Sequence, residues 1–274
     1  MKTLVVCLST LVLSGCAVTL APDHFFHPEP TTSAAPELAG AEPVIVDRGS
    51  GVKLRGIYVR HDGAPVEVLY FGGDSYKVDD FGMDVAKVAA GLPANLFTLD
   101  YRGYGRSGGT PTLANVKEDA LAAFDALQAR SDGRPIIVHG FSVGSFVAAH
   151  VAANRPVAGV VLESTAPDVT TWANSQIPWY AKAFMKVEVA PPLAKESTVN
   201  SLERYHGPLL IVAGDRDDET PPKLAHMVLD AAPTAPAQKR LVVVPGARHG
   251  TAMLSPVATA AYADFAKLVL ATPR

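Results

Sequence analysis

Gly140-Phe141-Ser142-Val143-Gly144 sets a serine between two glycines, where the apolar run Pro135-Ile136-Ile137-Val138-His139 gives way to a helix-forming run from Ser145 to Ala153. A hydroxyl lifted on so tight a strand-to-helix turn stands clear of a sheet edge, where it can attack a carbonyl. The flanking glycines keep side chains out of the neighbouring strand and helix. The start of that helix also aims backbone N–H groups at the place where negative charge develops in acyl transfer, and the N–H of Val143, the residue after the nucleophile, is expected as one oxyanion donor. Gly105-Arg106-Ser107-Gly108-Gly109 has the same spelling. There Gly108, Gly109 and Pro111 break any following helix, so the nucleophile is expected at Ser142.

A serine hydroxyl needs a base, and the base needs a carboxylate to orient it. Val242-Val243-Val244-Pro245-Gly246-Ala247-Arg248-His249-Gly250 puts a histidine on a glycine-containing loop after a strand, near the C-terminus. From such a loop an imidazole reaches across to another strand's end, and His249 is the expected base. His24 and His27 fall in a Pro-rich stretch, His61 ends an early strand, and His150, His206 and His226 lie in or beside other elements. His139, just before the turn, is expected to be packed or hydrogen-bonded. None of these histidines has metal-ligand spacing, and neither a metal nor an organic cofactor is expected. For the carboxylate, Gly214-Asp215-Arg216-Asp217-Asp218-Glu219-Thr220-Pro221 offers four acidic residues at one strand end, and composition does not choose among them.

The elements that must hold these groups follow from periodicity. Short apolar runs near Val44–Asp47, Lys53–His61, Val66–Phe71, Asn95–Asp100, Val157–Glu163, Pro208–Ala213 and Arg240–Val244 read as strands. Helical patterns fall near Val78–Ala90, Leu113–Arg130 and Pro256–Leu270. Alternating strands and helices predict a mostly parallel, doubly wound α/β sheet with helices on both faces and its loops along one edge. Residues 166–205 form a less regular insertion containing Trp172, Trp179 and Tyr180. It reads either as a small cap forming an apolar acyl pocket or as cover for the sheet.

Residues 1–15 read as a signal peptide: Lys2, then an apolar run from Thr3 to Leu13 too short to span a bilayer. Leu13-Ser14-Gly15-Cys16 resembles the lipobox of bacterial lipoproteins, in which the cysteine becomes the acylated first residue. Cys7 lies within that leader, so only Cys16 would remain. Residues 16–43, rich in Pro and Ala, read as an extended tether, with Phe25 and Phe26 available for docking, and residues 44–274 as one α/β domain. The expected location is the cell envelope, lipid-anchored through Cys16, on the outer membrane facing the periplasm in a Gram-negative cell. Lys and Arg number 24 against 27 Asp and Glu, a formal charge of −3. No basic run interleaved with aromatics suggests a nucleic-acid partner.

Asp100-Tyr101-Arg102-Gly103-Tyr104-Gly105-Arg106-Ser107, with the serine turn, the acid loop and the histidine loop in that order, resembles the α/β-hydrolase family from about Val66 onward. The nearest branch is that of serine hydrolases with a Tyr-Arg-Gly-Tyr-Gly-x-Ser loop, which includes membrane-associated esterases and thioesterases. The family's Gly-x-x-Asp followed four residues later by proline falls on Gly214, Asp217 and Pro221, which implies Asp217 as the acid. The family's second oxyanion donor implies the N–H of Asp74, where relatives commonly carry asparagine. Lys77 and Arg102 are available to offset its carboxylate, or the side chain caps the next helix. The resemblance implies hydrolysis of a small-molecule or lipid-like acyl ester or thioester. A binding or assembly lipoprotein on the same fold, or an acyltransferase, are the alternatives.

Overall fold

The computed structural model describes residues 16–22, 26–31, 40–91, 94–182 and 184–273. The expected leader, residues 1–15 with Cys7, lies outside them, as does Phe25. In chain order the strands are β1 (Cys16–Leu20), β2 (Ala41–Asp47), β3 (Lys53–Val59), β4 (Val66–Phe71), β5 (Ala94–Leu99), β6 (Ile136–Phe141), β7 (Gly159–Glu163), β8 (Met185–Val189), β9 (Leu209–Gly214) and β10 (Lys239–Val244). The helices are α1 (Val78–Ala90), α2 (Leu113–Gln128), α3 (Val143–Asn154), α4 (Val169–Ser175), α5 (Pro191–Ala194), α6 (Thr198–Leu202), α7 (Pro222–Ala231) and α8 (Pro256–Ala271).

Eight strands form one sheet in the order β10-β9-β7-β6-β4-β5-β3-β2. From β5 to β10 neighbours run parallel, and β2 and β3 close one edge antiparallel. Every residue of β4, β7 and β9 is buried, which is why these strands read as unbroken apolar runs instead of alternating ones. One face of the sheet packs against α2, α3 and α7, through residues such as Phe124, Val147 and Val228. The other packs against α1 and α8, through Val78, Ala86, Tyr262 and Phe265. At the edge opposite the strands' carboxyl ends, the buried Glu67 carboxylate accepts hydrogen bonds from Arg134 Nε (2.7 Å), Asn95 Nδ2 (2.9 Å) and Tyr58 OH. A buried acid is tolerated there because both oxygens find donors, one of them the Arg134 guanidinium.

The described pieces of the N-terminal segment, expected to be an extended tether, are docked on the rest of the protein. β1 pairs in parallel with β8 of the 166–205 insertion. Further on, Gly105 N–H donates to Glu29 O (3.0 Å) and Thr31 N–H to Gly105 O (2.6 Å). Phe26 packs against both hydrophobic layers around α3. The close approach is possible because Gly103, at φ +73°, carries no side chain: a Cβ there would lie 3.2 Å from that of Pro28. β2 starts at Ala41, three residues ahead of the expected domain boundary, since its whole length pairs with β3. Among the described residues no helix is long and apolar enough to cross a membrane.

Candidate active site

Ser142 sits at φ 53°, ψ −119°, a strained conformation for a residue with a side chain. The packing around it dictates both flanking glycines. A Cβ on Gly140 would lie 2.1 Å from Gly144 O, and one on Gly144 would lie 2.1 Å from Phe71 O. Ser142 N–H donates to Glu163 O across the β6–β7 boundary, and Ser145 Oγ donates to Ser142 O at 2.6 Å, so the turn is fixed from both sides. No side chain caps the first turn of α3; Ser145 N–H donates to Ser142 O, and the N–H groups of Val143 and Gly144 are left available to a ligand.

The loops after β9 and β10 meet this turn. They approach closely because Gly214 has no side chain; a Cβ would fall 2.3 Å from Ala247 O. His249 Nε2 lies 3.1 Å from Ser142 Oγ, and His249 Nδ1 lies 3.1 and 3.0 Å from Asp217 Oδ1 and Oδ2. An ionised carboxylate only accepts, so Nδ1 carries the proton and Nε2 accepts from the serine hydroxyl. Asp217 also accepts from Thr220 N–H (2.7 Å), Thr220 Oγ1 (2.8 Å) and Glu219 N–H (3.0 Å). Burial raises the carboxyl pKa, but these bonds, with that from His249, outweigh it and hold Asp217 below the usual carboxylate value. For His249, burial favours the neutral ring. The hydrogen bond to Asp217 and the charges of Asp217, Glu219 and Glu163 reverse that and raise its pKa above the ordinary histidine value. Of the four acidic residues in the loop, Asp217 alone is buried.

The loop after β4 passes beside the serine: a Cβ on Gly73 would be 3.6 Å from Ser142 Cβ. Tyr101 OH donates to Gly72 O at 2.9 Å and steadies it. The amide of Asp74 makes no backbone hydrogen bond among the described residues. Its carboxylate turns toward the N-terminal segment, where Oδ2 lies 3.0 Å from His27 Nδ1. Lys77 and Arg102 are committed elsewhere, Lys77 to Glu29 and Asp80, Arg102 to Asp119. The Asp100–Ser107 string is a brace, because the buried Asp100 carboxylate accepts from Val78 N–H and Arg106 N–H, tying α1 to the loop.

A cavity of about 440 Å³ adjoins the site, with His249, Gly73 and Phe141 among its walls beside Phe81 and Val85 of α1 and Tyr262 of α8. Trp172, Trp179 and Tyr180, the expected pocket residues, do not line it. The 166–205 insertion lies over the α3 side, whereas the cavity opens on the α1–α8 side. Trp179 and Tyr180 are 85% and 67% exposed. Trp172 has a supporting place instead: its indole Nε1 donates to Glu219 O (3.0 Å), as does Gln176 Nε2 (2.8 Å), bracing the acid loop. His139 is buried as expected, its ring edge-on to Tyr70 and Tyr262, with Nε2 3.5 Å from Glu163 Oε2. Thr220 and Glu163 were not singled out from the sequence. The only signal for Glu163 was a charge closing an otherwise apolar strand.

A family model described as serine aminopeptidase, S33, matches residues 84–199. An uncharacterized protein of Mycobacterium tuberculosis (Rv2307c) is 31% identical over 256 residues, 89% of this chain and 87% of that one. Protein ABHD12B of Homo sapiens is 27% identical over 74% of this chain and 61% of its own length. Among solved structures, the Pyrococcus furiosus esterase Pf2001 superposes with a TM-score of 0.69 at 19% identity, covering 89% of this chain and 97% of that one. Est1E of Butyrivibrio proteoclasticus gives 0.65 at 17% identity, over 85% of this chain and all of its own. These two likenesses speak to the fold. With the sheet order, the serine turn and a relative matched along most of both chains, this chain belongs to the α/β-hydrolase family.

Proposed function

We propose that this protein is a serine hydrolase that cleaves carboxylic esters or thioesters through an acyl-enzyme intermediate. The observation that carries the reading is the continuous chain from Ser142 Oγ through His249 to the buried Asp217, each link at hydrogen-bond distance. Ser142 Oγ attacks the carbonyl carbon as its proton passes to His249 Nε2. Asp217 holds the ring tautomer and stabilises the imidazolium. The N–H groups of Val143 and Asp74 are assigned to the oxyanion. Collapse of the tetrahedral intermediate transfers the proton from Nε2 to the departing alcohol or thiol. Water then attacks the acyl-serine, its proton taken by His249, and the acid leaves with Ser142 restored.

The apolar walls of the adjoining cavity favour an acyl or alcohol group of hydrocarbon character, in keeping with a lipid-like ester. We assign a lipid anchor to Cys16 and hence an envelope location to the protein. Cys16→Ser is expected to abolish incorporation of labelled fatty acid, and unchanged labelling would reject the anchor. The central test is reaction with a fluorophosphonate probe, the adduct being located by mass spectrometry. Modification of Ser142 that is lost in His249→Ala, with no ester turnover in Ser142→Ala, is the expected result. Turnover retained in Ser142→Ala would reject the triad.

A further inference from the structure

Four of the ten exposed large hydrophobic side chains among the described residues crowd into seven positions: Trp179, Tyr180, Phe184 and Met185. They occupy the turn after α4 and the start of β8, on the outside of the insertion. Trp179 and Tyr180 stack edge-to-face at 6.0 Å and belong to none of the hydrophobic clusters of the protein. A group of aromatic side chains left together in water, all three more than half exposed, is costly unless something covers it. Lys182 and Lys186 are exposed on the same segment. In the small β1–β8 sheet, Cys16 is the register partner of Met185, so the backbone of the lipobox cysteine lies beside this patch.

We propose that residues 179–186 form a membrane-docking surface that seats Trp179, Tyr180 and Phe184 at the headgroup level of an anionic bilayer. Trp and Tyr rings favour that depth because one part of the ring is apolar and another hydrogen-bonds to water and headgroups. Lys182 adds attraction for acidic phospholipid, while Lys186 lies 3.7 Å from Glu188 Oε1. The β1–β8 pairing puts this surface beside Cys16, so chains attached there and the aromatic side chains would meet one bilayer. The surface rests on exposure, composition and strand register, and is independent of the triad's chemistry.

The test reads the depth of Trp179. The full chain is mixed with vesicles of phosphatidylethanolamine and phosphatidylglycerol carrying brominated acyl chains. Tryptophan emission is expected to shift to the blue and to be quenched, and both changes are expected to vanish in Trp179→Ala. The double variant Trp179→Ala/Phe184→Ala is expected to bind vesicles about tenfold more weakly, or worse, and omission of phosphatidylglycerol to weaken binding of the parent. Both side chains are exposed, so these variants keep the fold, which circular dichroism checks. In Cys16→Ser, quenching of Trp179 persists at higher vesicle concentration. Loss of quenching at every concentration in that variant would reduce contact to the anchor and overturn the proposal. Emission that stays unquenched by lipid and open to acrylamide would overturn it as well. So would a dimer that forms without lipid and dissociates in Trp179→Ala, which would make the patch a contact between copies.

Discussion

His249 sits between a buried carboxylate that it needs and an exposed one that it does not. Nδ1 is tied to Asp217, whereas Glu219 Oε2 stands 3.7 Å from Nε2, the nitrogen that accepts the serine proton in the proposed mechanism. Both carboxylates favour the imidazolium, so His249 titrates above the usual histidine value. The proposed mechanism makes the neutral ring the base, so kcat/KM should rise with pH through that raised pKa, on a limb lying above the ordinary histidine range. Removing the Glu219 charge in Glu219→Gln is expected to move the limb to lower pH with little change in the plateau. A limb that does not move would mean solvent screens Glu219, which is 70% exposed, from the ring. Asp217→Asn should act differently. An amide in place of the carboxylate lets Nδ1 accept from the amide NH2, favouring the tautomer with the proton on Nε2, and kcat should fall by about three to four orders of magnitude. The same ionisations affect stability. Asp217, with a lowered pKa, stabilises the fold above the usual carboxylate value and loses that contribution as pH falls through its folded pKa. His249, with a raised pKa, contributes below the usual histidine value and loses it as pH rises through its folded pKa.

Among the elements, the β6–α3 turn is the one with no slack. Gly140 and Gly144 face backbone atoms, which cannot rotate away as a side chain can. Gly144→Ala would drive a methyl into Phe71 O, at the end of the strand whose following loop carries Asp74. The expected cost is about 3 kcal/mol or more in denaturant unfolding, with activity lost along with it. Gly63→Ala is the internal control: at φ +73° it is strained but nothing lies within 4 Å of the added carbon. Its expected cost is about 1 kcal/mol, with activity intact. Equal losses at the two positions would remove packing as the reason for the glycine at 144. This turn was legible from residues alone because the flanking runs were unambiguous, apolar before Ser142 and small and helix-forming after it. The acid was not, since four carboxylates in a row carry no mark of burial. Only the family pattern pointed to Asp217, and the structure brings that carboxylate to His249.

Across the whole molecule, what the sequence left illegible is contact between segments far apart in the chain. The mostly parallel sheet and its covering helices follow from local patterns, but no periodicity tells that residues 26–31 lie along the Tyr101–Gly105 loop, or that the cavity opens toward α1 and α8. Those depend on close approaches such as Pro28 to Gly103 and on which side of the sheet is less fully packed. The strap also gives the departure at Asp74 a physical setting. His27 Nδ1 holds the Asp74 carboxylate, His27 N–H donates to Tyr104 OH at 2.7 Å, and Phe26 secures the strap against the packing around α3. With His27 in place the carboxylate is turned aside, away from the amide that the proposed mechanism assigns to the oxyanion. Phe26→Asp should therefore detach the strap without disturbing the sheet. The lost burial amounts to about 2 kcal/mol. A loosened Asp74 loop should lower kcat by between about tenfold and a hundredfold, because the oxyanion donor is no longer held in position. KM should change less than kcat, since apart from Gly73 the cavity walls named above come from other elements. A drop in melting temperature with kcat untouched would mean that the strap only adds stability. A drop in kcat at constant KM would mean that the N-terminal segment, read from the sequence as a tether, helps position the catalytic loop.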